Sequence, residues 1–107
     1  MVISKELLSL ILGVEVGNYA MHGNYIKYEN TANKLGDINN LNLDTLGRLC
    51  KEWCLTQRYQ ILSELQMYGA YAQVNSEDYI LDPITFKADT ELEAIIKATE
   101  FVAREKV

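Results

Sequence analysis

The sequence predicts an α+β fold in the order α-β-β-α-β-β-(β)-α, with an antiparallel sheet packed against amphipathic helices. Three observations predict it. Apolar residues recur at steps of three and four near the start, in the middle and at the end of the chain, which is the helical period. Between those windows, apolar and polar residues alternate in short runs bounded by Gly, Asn, Asp and Pro, the pattern of strands. Strands alternating in this way beside amphipathic helices favour an antiparallel sheet with a helix over at least one face. With 107 residues, the chain suits one domain over residues 1–107, because smaller pieces would bury too little apolar surface to offset the entropy of ordering them.

Taken in order, Ser4 is placed to cap a helix over 5–12, "KELLSLIL", with Ile3 and Leu8 as a hydrophobic staple and Gly13 to end it. "VEVGNYAM" (14–21) and "YIKYEN" (25–30) alternate around Gly23-Asn24, a pair suited to closing a hairpin. Residues 31–41 are rich in Asn and Asp, which compete with regular backbone pairing, and read as a loop or irregular strand. Asn42 is a candidate cap for a second helix whose stripe is Leu43, Leu46, Leu49, Cys50, Trp53 and Gln57, with Cys54 on its flank. "YQILSEL", "YGAYAQV" and "YILDPITF" then read as a three-stranded meander, with turns at Tyr68-Gly69, "NSED" and Asp82-Pro83. Thr90 and Glu93 form a capping box for the closing helix, whose stripe is Leu92, Ile95, Ile96, Thr99, Val102 and Ala103. Phe101 falls almost opposite that stripe, as a second packing surface or a partner contact.

Charge narrows the functional classes. The net charge is −5, which disfavours direct binding to nucleic acid, since that contact depends on Lys and Arg displacing counterions. From Glu64 onward there are nine acids against four bases, while the first 63 residues balance. Any strong field therefore arises in the second half and favours basic partners. The apolar run "LLSLIL" is far shorter than the roughly 20 residues that span a bilayer, and no basic leader or cleavage site accompanies it, so no membrane association is expected. Two cysteines and no Asn-x-Ser/Thr acceptor point to a cytoplasmic, reducing compartment.

The residues that carry chemistry are few. Cys50 and Cys54 share one side of a helix, but a structural zinc needs four ligands, and only His22 adds to the pair. A redox pair would be Cys-x-x-Cys at a helix start, where the dipole lowers the thiol pKa. Cys50 is therefore expected in the core and Cys54 partly covered. His22 precedes a hairpin turn with no nucleophile nearby, and there is no Gly-rich phosphate loop or acidic metal loop. No catalytic residue, metal site or cofactor is expected. The seven tyrosines suit cross-strand packing, with an aromatic sheet face open to a partner as the other reading.

Three segments carry a family resemblance: "LCKEW" (49–53), "ADTELEAIIKATEFV" (88–102) and the opening "ISKELL" (3–8). Over about residues 40–104 the chain resembles small bacteriophage and mobile-element proteins of the phage ABA-sandwich type. The resemblance implies a layered α+β fold and a mobile-element origin, supplies no catalytic residue, and leaves out the first hairpin.

The leading expectation is a non-enzymatic accessory protein acting by protein–protein contact. Its specific version is an acidic inhibitor of a host nucleic-acid-binding or defence complex, with Glu77, Asp78, Asp82, Glu91 and Phe101 as partner contacts. The alternatives are a homodimer formed through the tyrosine face or Phe101, and a cysteine- or metal-dependent enzyme using Cys50, Cys54 and His22.

Overall fold

Ser4 caps the first helix by accepting a hydrogen bond from the Leu7 N–H at 3.1 Å, and the helix, α1, runs Lys5–Leu12 as its pattern predicts. Gly13 ends it with φ 68, its N–H donating to the Ser9 carbonyl. The computed structural model describes residues 2–32, 37–77 and 82–105. Within them the order is α-β-β-β-α-β-β-β-α, an α+β class with two three-stranded antiparallel sheets. The chain gathers into two compact units, Val2–Leu49 and the residues from Cys50 onward.

In the first unit, β1 (Val16–His22), β2 (Tyr25–Asn30) and β3 (Asp37–Asn42) form a sheet in that order. The hairpin between β1 and β2 closes as expected around Gly23-Asn24: His22 pairs with Tyr25, and Gly23 alone takes a positive φ, 58, as a turn with glycine in its first central position does. A bulge interrupts β1 between Val16 and Tyr19. β3 lies where the sequence gives a loop or irregular strand, and residues 33–36 lie outside the described residues. Its asparagines have poor strand propensity, but the register with β2 sets Leu41 opposite Ile26, and both are buried. Burial of that pair outweighs local preference. Ile3, Leu7, Leu8, Val16 and Leu46 are also buried in this unit, and the Tyr19 hydroxyl donates to the Ile3 carbonyl.

Helix α2 (Leu43–Thr56) starts where predicted, with the Asn42 side chain accepting from the Asp44 N–H at 2.8 Å. Its buried residues are Leu46, Gly47, Cys50 and Cys54. The buried face is thus rotated toward Cys54, which is fully covered rather than on the flank, while Trp53 is only half-buried. The helix ends without a glycine: Arg58 takes φ 69, and its N–H donates to the Leu55 carbonyl.

The second unit contains β4 (Tyr59–Gln66), β5 (Gly69–Ser76) and β6 (Ile84–Ala88), with β5 central, and helix α3 (Glu91–Glu105). Thr90 caps α3, accepting from the Glu93 N–H at 3.2 Å. The helix lies against all three strands. Ile61, Ala70, Ala72 and Val74 from the sheet and Ala94, Ile95, Ile96, Ala98, Thr99 and Val102 from the helix are buried. Alanines on both surfaces let the helix backbone come close to the sheet, and the apolar stripe of α3 fixes which face of the sheet is covered.

Candidate interaction surface

Because side chains alternate along a strand, burying Ile61, Ala72 and Val74 under α3 turns their neighbours the other way. Gln60, Leu62 and Glu64 of β4, Tyr71, Gln73 and Asn75 of β5, and Thr85 and Lys87 of β6 share the outer face, opposite α3. The face is rich in neutral amides. Across it the Tyr71 hydroxyl donates to the Glu64 carboxylate at 2.8 Å, a bond that holds the phenol above its ordinary pKa.

An open concavity of about 590 Å³ lies on this face, floored by Gln60, Leu62, Gln73 and Asn75 and edged by Leu55, Arg58 and Glu77. The Arg58 guanidinium and the Glu77 carboxylate approach to 3.6 Å, both well exposed, so solvent screens the pair and it contributes little. The lining offers amides, hydroxyls and one opposed charge pair, and neither imidazole nor thiol. These are groups that can hydrogen-bond a polar ligand.

The β4–β5 turn is the other distinctive feature. Gln66 pairs with Gly69, so Met67 and Tyr68 form a two-residue turn. Met67 is 86% exposed and Tyr68 96%, with Leu65 at 67% and Leu62 at 47%. Single exposed apolar residues are ordinary, and Leu62 and Leu65 point to opposite faces of the strand, but Met67 and Tyr68 are adjacent and make an exposed apolar tip.

The structure separates the residues that the sequence offered as partner contacts. Glu77, just after β5, and Asp82, just before β6, are exposed at one end of the second sheet. Asp78 lies outside the described residues. Glu91 is at the other end of β6, half-buried, and accepts a hydrogen bond from Ser63 at 2.6 Å. Among the described acids, Glu91 therefore stands apart from Glu77 and Asp82. Phe101 is half-buried against Phe86, with ring centroids 5.7 Å apart at 46°, so its aromatic surface is used within the unit. Nor do the tyrosines share a face. Tyr19 pairs with Tyr28 in the first sheet, Tyr71 is on the outer face of the second, Tyr68 is at the turn, and Tyr79 lies outside the described residues.

Cys50 and Cys54 are both completely buried. Burial pushes the Cys50 thiol up to about 12 and the Cys54 thiol up to about 11, so neither is a thiolate at neutral pH. His22 is exposed on the first sheet, stacked on Tyr25 across the hairpin. Among the described residues no group of three or more His, Cys, Asp or Glu side chains is placed to hold a metal ion, and no helix is long and apolar enough to cross a membrane.

The tip residues Met67 and Tyr68 are the ones that sequence reasoning missed. The sequence signal was a turn at Tyr68-Gly69 with Tyr68 counted in the strand; shifting that turn back by one residue exposes both side chains at its tip. Comparisons with protein-family models, curated proteins and solved structures give no match.

Proposed function

We propose that this chain is a non-enzymatic accessory protein that acts by protein–protein contact, with the tip of the β4–β5 hairpin as the contact. The observation that carries the reading is the near-complete exposure of Met67 and Tyr68 side by side at that turn. Met adapts to irregular surfaces, and Tyr adds contact area with a hydroxyl at low entropy cost, which suits both to interface cores. The mobile-element origin implied by the sequence resemblance belongs to the same proposal.

The test is capture of partners from bacterial lysate on tagged protein, washed at rising salt and compared with a Met67→Asp/Tyr68→Asp variant. A partner retained at high salt by the wild type and lost by the variant supports the apolar tip. A partner lost from the wild type as salt rises, and retained by the variant in low salt, would instead favour the acidic mode at Glu77 and Asp82.

A further inference from the structure

We propose that a second copy of this chain pairs antiparallel with the open edge of β4, joining two three-stranded sheets into one of six strands. This goes beyond the tip contact and uses different residues.

The outer strands are β1 and β3 in the first sheet and β4 and β6 in the second. An outer strand presents a row of backbone donors and acceptors, and chains blunt it with bulges, charges, prolines, short length or a cover. β1 has its bulge and lies against α1. β3 is a six-residue strand of Asp37, three asparagines and two apolar residues. β6 has five residues, follows Pro83 and carries Lys87, and the Lys97 ammonium donates to the Lys87 carbonyl at 2.9 Å. β4 is the longest of the four and has neither bulge nor proline. Its eight residues hold one charge, Glu64, and no proline or glycine, and its register with β5 is unbroken from Tyr59 to Gln66.

The ladder fixes which backbone groups face outward. Gln66 closes the turn against Gly69, and beyond the other end of the strand the Glu77 N–H donates to the Arg58 carbonyl. Even-numbered residues of β4 therefore bond β5, and odd-numbered ones aim N–H and C=O at the open side. There, no described residue bonds the backbone of Ile61, Ser63 or Leu65.

The side chains select a register and a partner. In a continuous sheet with both α3 helices on one face, residues of like parity must oppose each other. When Leu62 faces its own copy, the one carboxylate of the strand, Glu64, faces the amide of Gln60, and the exposed Leu65 faces Tyr59. Slipping by two residues one way sets Glu64 against Leu62, and by four sets the two Glu64 carboxylates together. Slipping the other way shortens the pairing to residues 59–63 and leaves Glu64 opposite Arg58, outside the strand, where the φ of 69 turns the backbone away. The strand is thus complementary to itself about Leu62, as a two-fold dimer requires.

Sedimentation velocity on the full chain tests this. The wild type should pass from monomer to dimer across the micromolar range. Leu62→Lys and Leu62→Glu alter an exposed side chain, so each should keep the wild-type circular dichroism while weakening dimerisation on the order of tenfold. Mixing the two should restore association, because lysine meets glutamate only if residue 62 faces residue 62. Oxidised Leu62→Cys should form a covalent dimer and Leu55→Cys should not. The Met67→Asp/Tyr68→Asp variant should dimerise like the wild type, which separates this proposal from the tip contact. A wild type monomeric to high micromolar concentration overturns the proposal, as does a dimer that neither charge weakens or variants that fail to recover on mixing.

Discussion

Cys50 and Cys54 lie one helical turn apart in α2, and the Cys54 sulfur sits 3.8 Å from the Thr99 hydroxyl, which itself donates to the Ile95 carbonyl at 2.7 Å. The hydroxyl eases ionisation of either thiol a little, but desolvation dominates and raises both from their ordinary 9.0. Nucleophilic or metal-binding chemistry needs the thiolate, so the environment that makes these residues good core material also makes them inert. Two measurements follow from this burial. A thiol reagent near neutral pH should label the native chain only at its rate of unfolding; immediate labelling of both sulfurs would contradict the buried placement. Stability should also depend on alkaline pH in a definite direction. The unfolded chain releases these protons near 9.0 and the folded chain holds them to about 11 and about 12, so above pH 9 the unfolded state binds fewer protons and gains on the folded one. The stabilising contribution is complete below about pH 9 and is lost as pH rises toward 11–12. Urea midpoints followed upward from neutral pH should fall more shallowly in a Cys50→Ala/Cys54→Ala variant than in the wild type, on top of the constant cost of its cavities; parallel slopes would deny the linkage.

The β4–β5 hairpin is the element on which both the tip contact and the β4 edge depend, and Gly69 is its hinge point. Gly69 has φ 127, and a Cβ there would lie 2.9 Å from the Ala88 carbonyl oxygen, part of the backbone of the neighbouring strand β6. That atom cannot swing aside as a side chain would, so Gly69→Ala should destabilise the chain by about 1–3 kcal/mol through strain and crowding together. Chemical denaturation would measure it; a loss of only a few tenths would mean that β6 relaxes freely. This hairpin also marks the limit of what the sequence made legible. The helices were readable almost to the residue, because caps such as Ser4 and Thr90 are local hydrogen bonds and apolar periodicity is a property of one segment. The β1–β2 hairpin was readable for the same reason. β3 was only half-readable, since Asn39, Asn40 and Asn42 argue against a strand and the decisive pairing of Leu41 with Ile26 is tertiary. At the β4–β5 turn, Tyr68 and Gly69 were the signal, yet the residues that turn are Met67 and Tyr68, because register is set by the whole ladder. Among the candidate contacts, Glu91 was legible as a first-turn acid of α3 and Phe101 as a residue opposite its stripe, but their partners Ser63 and Phe86 come from strands that the helix pattern cannot see.

Burial is uneven across the whole molecule, and local stability should follow it. Among the described residues of the first unit few are buried: Ile3, Leu7, Leu8, Val16, Ile26, Leu41 and Leu46, beside the backbone of Gly47. The second unit buries six positions of α3 alone, with Cys50, Cys54, Ile61, Ala70, Ala72 and Val74. Its central strand is bonded on both sides and covered by a fifteen-residue helix, whereas α1 has eight residues and only two of them buried. Opening free energy scales with the apolar surface that must be exposed and the ladder bonds that must break together. Native-state hydrogen exchange should therefore find the amides of β5 and α3 protected up to the global unfolding free energy, and those of α1 and β1 exchanging through a smaller opening. Adding low denaturant separates the two classes: the α1 and β1 amides should depend weakly on it, because little surface is exposed when they open, and the β5 and α3 amides should depend on it as strongly as global unfolding does. Equal protection throughout, with one common denaturant slope, would show that the two units open as a single cooperative body.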